Sequence, residues 1–482
     1  MAVRSSIPPP PLATSALGLG LDAFVAVRAS ISAKVADSRA AFELSVHPHL
    51  TDWGFLVLAG VEPLLGALER LRVRPEELDW LEAVGAIDGA TRARLAESKF
   101  VCDVDAAPEG SVVFAGEPVV SVEGPFWQAQ LVGGLVDAAI SDATLVATLF
   151  ARMRLAAGGS VSLVESGSAT AHRMGGAPLL ARAAYIGGAM ATTSALAGRR
   201  HGIPVLAIQP RSFELALSDV EASVRAWLAA GAETGIVRLP PAASPRSALR
   251  AVAAAVRASQ VARPVAIEIE GEDRLGVARE AIRVFREAGV PAPRVFVSGV
   301  DERSAVELRS ADAPIYGILL AADAPRLSER ASAYELLAIE EHERWVPRSS
   351  AHQAAVAPGR KLVMRYFDAQ ERPLADVAHL TSEHILQAQG GSFIDPRSTR
   401  TLRLSAFSGS PLRADAMRAG KRVSPPETLL AIRERAARSL ASLSEGCRRL
   451  ASPMLYPFGV TPQLAALRQE LLASSSRPVT PS

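Results

Sequence analysis

Between about residue 160 and residue 320 the sequence repeats one pattern, in which a short β-branched run is followed by a loop and an amphipathic helix. This order is typical of βα units around a parallel sheet, because parallel neighbours need a long crossover that is usually helical. The pattern therefore predicts an α/β fold, and six such runs fit a barrel. The runs are VSLV at 161–164, IPVLAI at 203–208, TGIVRL at 234–239, PVAIEI at 264–269, RVFVS at 294–298 and PIYGILL at 314–320.

The flanking parts of the chain follow different patterns. Residues 21–150 mix helical segments with short alternating strands and turn-rich loops, which indicates α+β character. Residues 359–380 predict a strand hairpin with a turn near residues 369–372. A long helix follows near the carboxyl end, with Ser424 as its predicted N-cap before two prolines.

Composition and charge exclude several classes of partner. The 482 residues carry 52 Lys and Arg against 50 Asp and Glu, a net charge of +2, so there is no electrostatic case for binding nucleic acid or a membrane. The two cysteines are far apart and predict neither a disulfide framework nor a zinc site. The opening residues, with a four-proline run, predict a flexible arm rather than a signal peptide, and charged residues interrupt every apolar segment. We therefore expect a cytoplasmic protein.

Chemistry in a βα-barrel is expected in the loops at the carboxyl ends of the strands. The six loops contain one histidine, His172, which is either a general base or a helix cap at the surface. Glu270, Glu272 and Asp273 form either a Mg²⁺ site or a solvated acidic loop. Arg211 cannot lose its proton in a protein, so it can clamp an anion but cannot act as a base or accept a phosphoryl group.

Taken in order, several segments make the chain resemble the nicotinate phosphoribosyltransferase family from about residue 20 to residue 470. The resemblance rests on FELSVHP…GFLVLAGVEPLLGALERLR, PEGSVVFAGEPVVSVEGP, AAYIGG, AGRRHGIPV, PGRKLVMR and the carboxyl-terminal MRAGKRVSPPETLLAIRERAARSLASL…SPMLYPFGVTPQL. These are scaffold segments, specific mainly in combination.

The resemblance implies an irregular βα-barrel packed with an α/β, α+β-like domain that both chain ends form, as in type II phosphoribosyltransferases. The expected divisions are a flexible arm at 1–20, domain parts at 21–135 and 351–470, the barrel at 136–350 and a disordered tail at 471–482. The family joins nicotinate to phosphoribosyl pyrophosphate (PRPP), giving nicotinate mononucleotide for NAD salvage, with Mg²⁺ on the phosphates and ATP hydrolysis through a phosphohistidine. Head-to-tail dimers with shared active sites are usual.

The functional motifs of the family are altered in this sequence. Arg211 stands where the phosphorylated histidine of G-T-x-A-H-S belongs, followed by Ser212. The E-F-G-x-R-R motif falls on residues 165–170, so that Glu165 and Gly167 are kept and Thr170 replaces an arginine. His172 and Arg173 lie two or three positions away from the lost cations.

Further positions complete the candidate substrate-binding set. The R-L-D-S-G-D motif falls on residues 267–272, where Gly271 and the acid Glu272 persist. Ser298 is the last residue of the fifth run, and the phosphate-gripping G-V-G-T begins at Gly317. The aromatic ring that stacks on the pyridine corresponds to Phe24. The D-T-Y-D-T segment falls on residues 239–243, which carry no ionisable side chain.

Charge is lost at five strand ends while the scaffold persists, which predicts a catalytically impaired homologue, a pseudoenzyme that serves as a structural or regulatory partner. It is expected to form a homodimer or a heterodimer with a paralogue. The alternatives are a transferase that still acts on nicotinate and PRPP without ATP coupling, and an enzyme with another small substrate. Mg²⁺ and ATP are expected only if activity persists, and no protein-bound metal site is predicted.

Overall fold

The computed structural model describes residues 18–47, 50–167, 176–217, 219–230, 235–240, 244–321, 331–349, 357–383, 391–405 and 408–475. The chain forms two compact units. One unit, the barrel unit, comprises residues 146–321, and the other, the discontinuous unit, comprises residues 18–145 together with 331–475. The candidate residues Thr170, His172 and Arg173 lie outside the described residues.

The elements up to the barrel are α1 (Leu21–Ser32), β1 (Arg39–Val46), a 3-10 helix (Leu50–Trp53), β2 (Leu56–Val57), α2 (Val61–Arg70), α3 (Pro75–Ala83), α4 (Gly89–Glu97), β3 (Asp103–Ala106), β4 (Val112–Val113), β5 (Pro118–Pro125), α5 (Phe126–Leu131) and α6 (Gly133–Ala157). The segment Phe126–Ala157 is long and apolar enough to cross a membrane by length and composition alone. Since 61% of its tested window is buried, it has the character of a core helix, and one such helix is weak evidence for a membrane span.

The barrel elements are β6 (Ser162–Glu165), α7 (Ala177–Ile186), β7 (Ala191–Thr192), α8 (Ala195–His201), β8 (Ala207–Ile208), α9 (Arg211–Leu217), α10 (Val220–Ala229), β9 (Gly235–Arg238), α11 (Pro245–Ala258), β10 (Ala266–Ile269), α12 (Arg274–Glu287), β11 (Arg294–Val297), α13 (Glu302–Ser310) and β12 (Gly317–Leu320). All six predicted runs contain a strand. The short strand β7 was not predicted.

Within the described residues, the seven barrel strands form one parallel sheet in the order β7-β6-β12-β11-β10-β9-β8. A parallel bridge between Thr192 and Val205 joins the two edges, so the sheet is curled. A core cluster that includes Val164, Phe296 and Leu319 packs between the strands. The α/β class and the irregular barrel predicted from the sequence are confirmed.

The remaining elements are β13 (Ser332–Glu341), β14 (Arg344–Pro347), β15 (Lys361–Phe367), β16 (Pro373–Leu380), β17 (Gly391–Ile394), β18 (Thr401–Leu404), β19 (Ser408–Pro411), β20 (Ala414–Arg418), β21 (Lys421–Arg422), α14 (Leu429–Ser442), β22 (Phe458–Val460) and α15 (Pro462–Ser475). The β15–β16 hairpin is confirmed. The predicted cap at Ser424 is wrong, because α14 begins after Thr428, whose hydroxyl accepts a hydrogen bond from the Ala431 amide at 3.2 Å.

Strands from both chain ends build the discontinuous unit. The described residues include a sheet in the order β14-β13-β1-β5-β3-β20-β21 and a second in the order β18-β17-β22-β16-β15-β19. Strand β1 pairs with β5 on one side and with β13 on the other, both antiparallel. The chain therefore leaves the barrel before β13 at Ser332, earlier than the predicted boundary at residue 350. Helix α15 continues to Ser475, past the predicted start of the tail at residue 471.

Candidate functional site

The carboxyl ends of the barrel strands bring together several candidate residues. Glu165 is the last residue of β6, and Arg211 begins α9 three residues after β8 ends. Ser298 follows β11 directly. Because the strands are parallel, these positions lie at the same edge of the curled sheet. We define the carboxyl-end site by Glu165, Arg211, Arg238, Glu268 and Glu270, the charged residues at the ends of four of these strands.

Arg211 forms an ion pair with Glu270, which directly follows β10. The guanidinium Nη2 donates to a carboxylate oxygen of Glu270, and both side chains are 51% exposed. Ser212 beside it is exposed in the first turn of α9. At the position where the sequence resemblance leads us to expect a phosphohistidine, Arg211 neutralises a neighbouring carboxylate, and its guanidinium offers no lone pair to a phosphoryl group.

A second ion pair lies within the barrel and involves Glu268, which is two residues before Glu270 in the sequence. Arg238 on β9 approaches Glu268 on β10, with 3.1 Å between Nε and Oε2 and side-chain exposures of 22% and 4%. Burial raises the pKa of Glu268, and the Arg238 guanidinium opposes that rise. Gln209 supports β9, because its Oε1 accepts a hydrogen bond from the Arg238 amide at 3.3 Å while its Nε2 donates to Ser223 at 2.7 Å.

Glu165 and Gly167, the residues kept from the family motif, are tied into the scaffold. The Glu165 carboxylate is fully buried and accepts hydrogen bonds from Thr192 Oγ1 at 2.5 Å and from the Gly167 amide at 2.8 Å. Thr192 belongs to the neighbouring strand β7, so the carboxylate links two strands and the turn after β6. This structural role is sufficient to explain why Glu165 and Gly167 are kept, whether or not they contact a substrate.

The loop after β10 does not assemble a cation site. Glu270 pairs with Arg211, and Asp273 caps α12 by accepting a hydrogen bond from the Gly276 amide at 2.9 Å. Glu272 is exposed, and Gly271 has a φ of +124°, a conformation that favours glycine. Within the described ranges, no group of three or more His, Cys, Asp or Glu residues is placed to hold a metal ion. Glu270 and Asp273 are thus engaged by Arg211 and by the amino end of α12.

The backbone carbonyl of Ser298 accepts a hydrogen bond from Arg274. Arg274 Nε donates to the Ser298 carbonyl at 2.9 Å, and its Nη2 donates to the Gly299 carbonyl at 2.6 Å. Arg274 therefore fastens the loop after β11 to the first turn of α12. This use of the guanidinium satisfies two carbonyls that follow a strand.

Two candidate binding residues lie elsewhere. Gly317 is the first residue of β12 and so lies at the amino end of its strand, where a Cβ would come within 2.6 Å of the Phe296 ring. Its lack of a side chain makes room for that ring, which corrects the predicted phosphate-binding role. Phe24 is 1% exposed in a core cluster of the discontinuous unit that includes Val27 and Trp127. A ring packed in this way has no free face for a pyridine, which argues against the predicted stacking role.

The Arg238–Glu268 pair was not predicted from the sequence. The signal was present, because one run contains an arginine in TGIVRL and the next contains a glutamate in PVAIEI. Charged residues inside β-branched runs of adjacent parallel strands indicate a buried pair. The register could not be read without the structure, which places Glu268 opposite Arg238.

Comparison with known proteins matches both parts of the discontinuous unit. Residues 25–141 match the N-terminal domain of nicotinate phosphoribosyltransferase (NAPRTase), and residues 360–468 match its C-terminal domain. The chain is 27% identical to nicotinate phosphoribosyltransferase of Bos taurus, over 91% of this chain and 93% of that protein. It is 28% identical to that of Bacillus subtilis (strain 168), over 69% of each chain.

Solved structures extend the match to the whole fold. The human nicotinic acid phosphoribosyltransferase structure aligns with a TM-score of 0.76 at 25% identity, covering 94% of this chain and 99% of that one. A nicotinate-nucleotide pyrophosphorylase from Pyrococcus furiosus shares the fold, with a TM-score of 0.66 at 17% identity, covering 89% and 95%. The mixed α/β structure with its curled parallel sheet is thus a type II phosphoribosyltransferase fold. The chain belongs to the nicotinate phosphoribosyltransferase family.

Proposed function

We propose that this chain is a family member that does not carry out ATP-coupled phosphoribosyl transfer and acts as a structural or regulatory protein. The observation that carries the proposal is the pairing of arginines with carboxylates at the strand ends. Arg211 is paired with Glu270, and Arg238 is paired with Glu268. The homologues named nicotinate phosphoribosyltransferase support the family assignment and leave the activity of this chain to be tested.

The coupling step fails on chemical grounds. The family's ATP hydrolysis passes through a phosphohistidine, and imidazole can take up a phosphoryl group because one ring nitrogen carries a free lone pair. At the expected position of this histidine, the side chain of Arg211 is a delocalised, permanently protonated guanidinium. An enzyme that used this site would therefore work without the coupling to ATP.

The charge of the carboxyl-end site also disfavours PRPP. Within the described residues the site holds three carboxylates and two guanidiniums, so its formal charge is −1 when all five groups are ionised. A pyrophosphate arriving there would have to displace Glu270 or Glu268 from its arginine. Displacing Glu268 would leave a buried carboxylate without its cation, which opposes binding of the anion, whereas the exposed Arg211–Glu270 pair contributes only about 0–1 kcal/mol.

The retained scaffold supports a role through assembly. The discontinuous unit and the curled sheet keep the family architecture over nearly the whole chain, while Arg211 stands where the family resemblance leads us to expect a histidine. A protein of this kind can pair with a second copy or with an active relative through the family's dimer surface. In that arrangement it acts by completing or restraining the partner's site.

The first test is an activity assay on the purified full-length protein. Nicotinate, PRPP, Mg²⁺ and ATP are supplied, and nicotinate mononucleotide and ADP are measured for the wild type, for Arg211→His and for Arg225→His. Arg225 is the matched control, because its side chain is also 51% exposed on a neighbouring helix. We expect no product above background from any of the three proteins, because restoring one imidazole leaves the charge of the site unsuited to phosphates.

The second test is calorimetric titration of PRPP with and without Mg²⁺. Tight, Mg²⁺-dependent binding together with product formed in the absence of ATP would identify an uncoupled transferase and refute the proposal. Size-exclusion chromatography with light scattering, on the protein alone and mixed with an active paralogue of the same organism, tests the assembly role. A monomer under both conditions would contradict that role.

A further inference from the structure

The barrel unit contains a cavity at the end opposite to the carboxyl-end site. Its volume is about 230 Å³, and it is lined by residues at or just before the amino ends of the strands. We call it the amino-end cavity and define it by Ala266, Arg263, Arg294, Phe296, Ile236 and Tyr316. Function in barrels of this kind is expected at the other end, so an open cavity here requires its own explanation.

The walls of the amino-end cavity are suited to one aromatic ring. Phe296 and Ile236 are almost fully buried beneath it, with exposures of 3% and 1%. The Tyr316 ring stands nearly edge-on to Phe296, with the centroids 5.3 Å apart and the planes at 64°. An apolar cavity of about 150 Å³ holds benzene, so this larger cavity accepts a ring with one small substituent.

The charges at the mouth of the cavity select an anion. Arg294 lies over the Tyr316 ring with its Cζ 5.0 Å from the centroid, and Arg263 is exposed beside the cavity. Among the residues that the structure describes, neither arginine has a carboxylate within ion-pair distance. This contrasts with Arg211 and Arg238, which are both paired. Unpaired guanidinium groups match a carboxylate bidentately.

From this combination we propose that the amino-end cavity binds a small aromatic carboxylate, with the ring against Tyr316, whose side chain is 38% exposed, and the carboxylate at Arg294. The proposal does not depend on the function proposed above, because it uses none of the residues of the carboxyl-end site. The ligand class is a single ring of benzoate size with one negative charge.

The test uses fluorine NMR on the full-length protein, with para-fluorobenzoate as the probe and para-fluorobenzamide as its uncharged counterpart. We expect para-fluorobenzoate to bind more tightly than the amide. Arg294→Gln is expected to raise the Kd of the carboxylate about tenfold or more and to leave that of the amide nearly unchanged. Ala266→Leu, which fills the cavity, is expected to weaken both probes.

Arg211→Gln is the control, because it changes an arginine at the opposite strand ends and is expected to keep the Kd within about twofold. The proposal is refuted if para-fluorobenzoate shows no saturable binding up to ~10 mM. It is also refuted if Arg211→Gln abolishes binding while Arg294→Gln retains it. Thermal melts of each variant verify that it is folded, and Arg294 is a surface residue whose substitution leaves the core intact.

Discussion

Replacing Arg365 by methionine should be among the most destabilising single changes in the discontinuous unit. Arg365 lies on β15, and its Nη2 donates to Asp376 at 2.6 Å and approaches Glu117 at 3.4 Å. Its Nη1 donates to the Val112 carbonyl at 2.7 Å. Both carboxylates have side chains that are 0% exposed, so neither can turn to water for compensation.

The magnitude follows from burial. Methionine fills a similar volume but removes the cation beside Asp376 and Glu117 and the donor to the Val112 carbonyl. The Tyr456 hydroxyl and the Phe114 amide still donate to the two carboxyl groups, and breaking a buried ion pair in this way costs about 3–5 kcal/mol. At roughly 2–3 °C per kcal/mol for a unit of this size, the melting temperature of the discontinuous unit falls by about 6–15 °C.

Differential scanning fluorimetry and guanidinium unfolding measure the change. Arg438→Met is the control, since Arg438 on α14 pairs with Glu434 at 3.9 Å with exposures of 71% and 58%. Exposed pairs contribute about 0–1 kcal/mol, so this variant should melt close to the wild type. If Arg365→Met unfolds within about 1 kcal/mol of Arg438→Met, the burial argument is refuted.

Two further changes probe other buried positions. Burial, together with the adjacent Asp376, raises the pKa of Glu117, so the folded state holds that proton more tightly than the unfolded chain. This contribution to stability is complete in acid and is lost as the pH rises through the raised pKa. Glu117→Gln should therefore gain stability relative to the wild type between about pH 4 and pH 8, and a constant difference across that range in unfolding titrations would contradict this sign. Gly317→Ala should destabilise the barrel unit by about 1–3 kcal/mol, because the new Cβ meets the Phe296 ring at 2.6 Å and the Ser162 carbonyl at 2.7 Å. Gly159→Ala, which adds a methyl group to open space, is its control in the same melts, and equal melting temperatures would refute the packing argument.

The barrel could be predicted from local pattern because its strands are buried on both faces and appear as short apolar runs. Six of its strands follow from such runs, whereas β7 has only two residues and no run of its own. Its position depends on pairing with β6 and on the bridge from Thr192 to Val205. Contacts of this kind are set by the curvature of the whole sheet and leave little trace in the local sequence.

The candidate site was only partly predictable. The replacement of a histidine by Arg211 is visible in the sequence, but its partner Glu270 lies 59 residues further along the chain. Gly317 illustrates the opposite error, since a motif position suggested phosphate binding where tight packing against Phe296 explains the glycine. The helix start at Thr428 instead of Ser424 has a local cause, because two prolines after Ser424 keep the chain extended until Thr428 can cap.

The position of β1 between β5 and β13 affects how the polypeptide folds during synthesis. Strand β5 leaves the ribosome soon after β1, but β13 emerges only after the barrel unit has been made, and Ala40 must find Ile339. Seven of the eight residues of β1 are buried in the finished fold. The nascent chain therefore carries β1 with one unpaired edge while roughly 200 further residues are translated. Pairing between strands so far apart in the sequence slows folding, and the exposed edge is a binding site for chaperones.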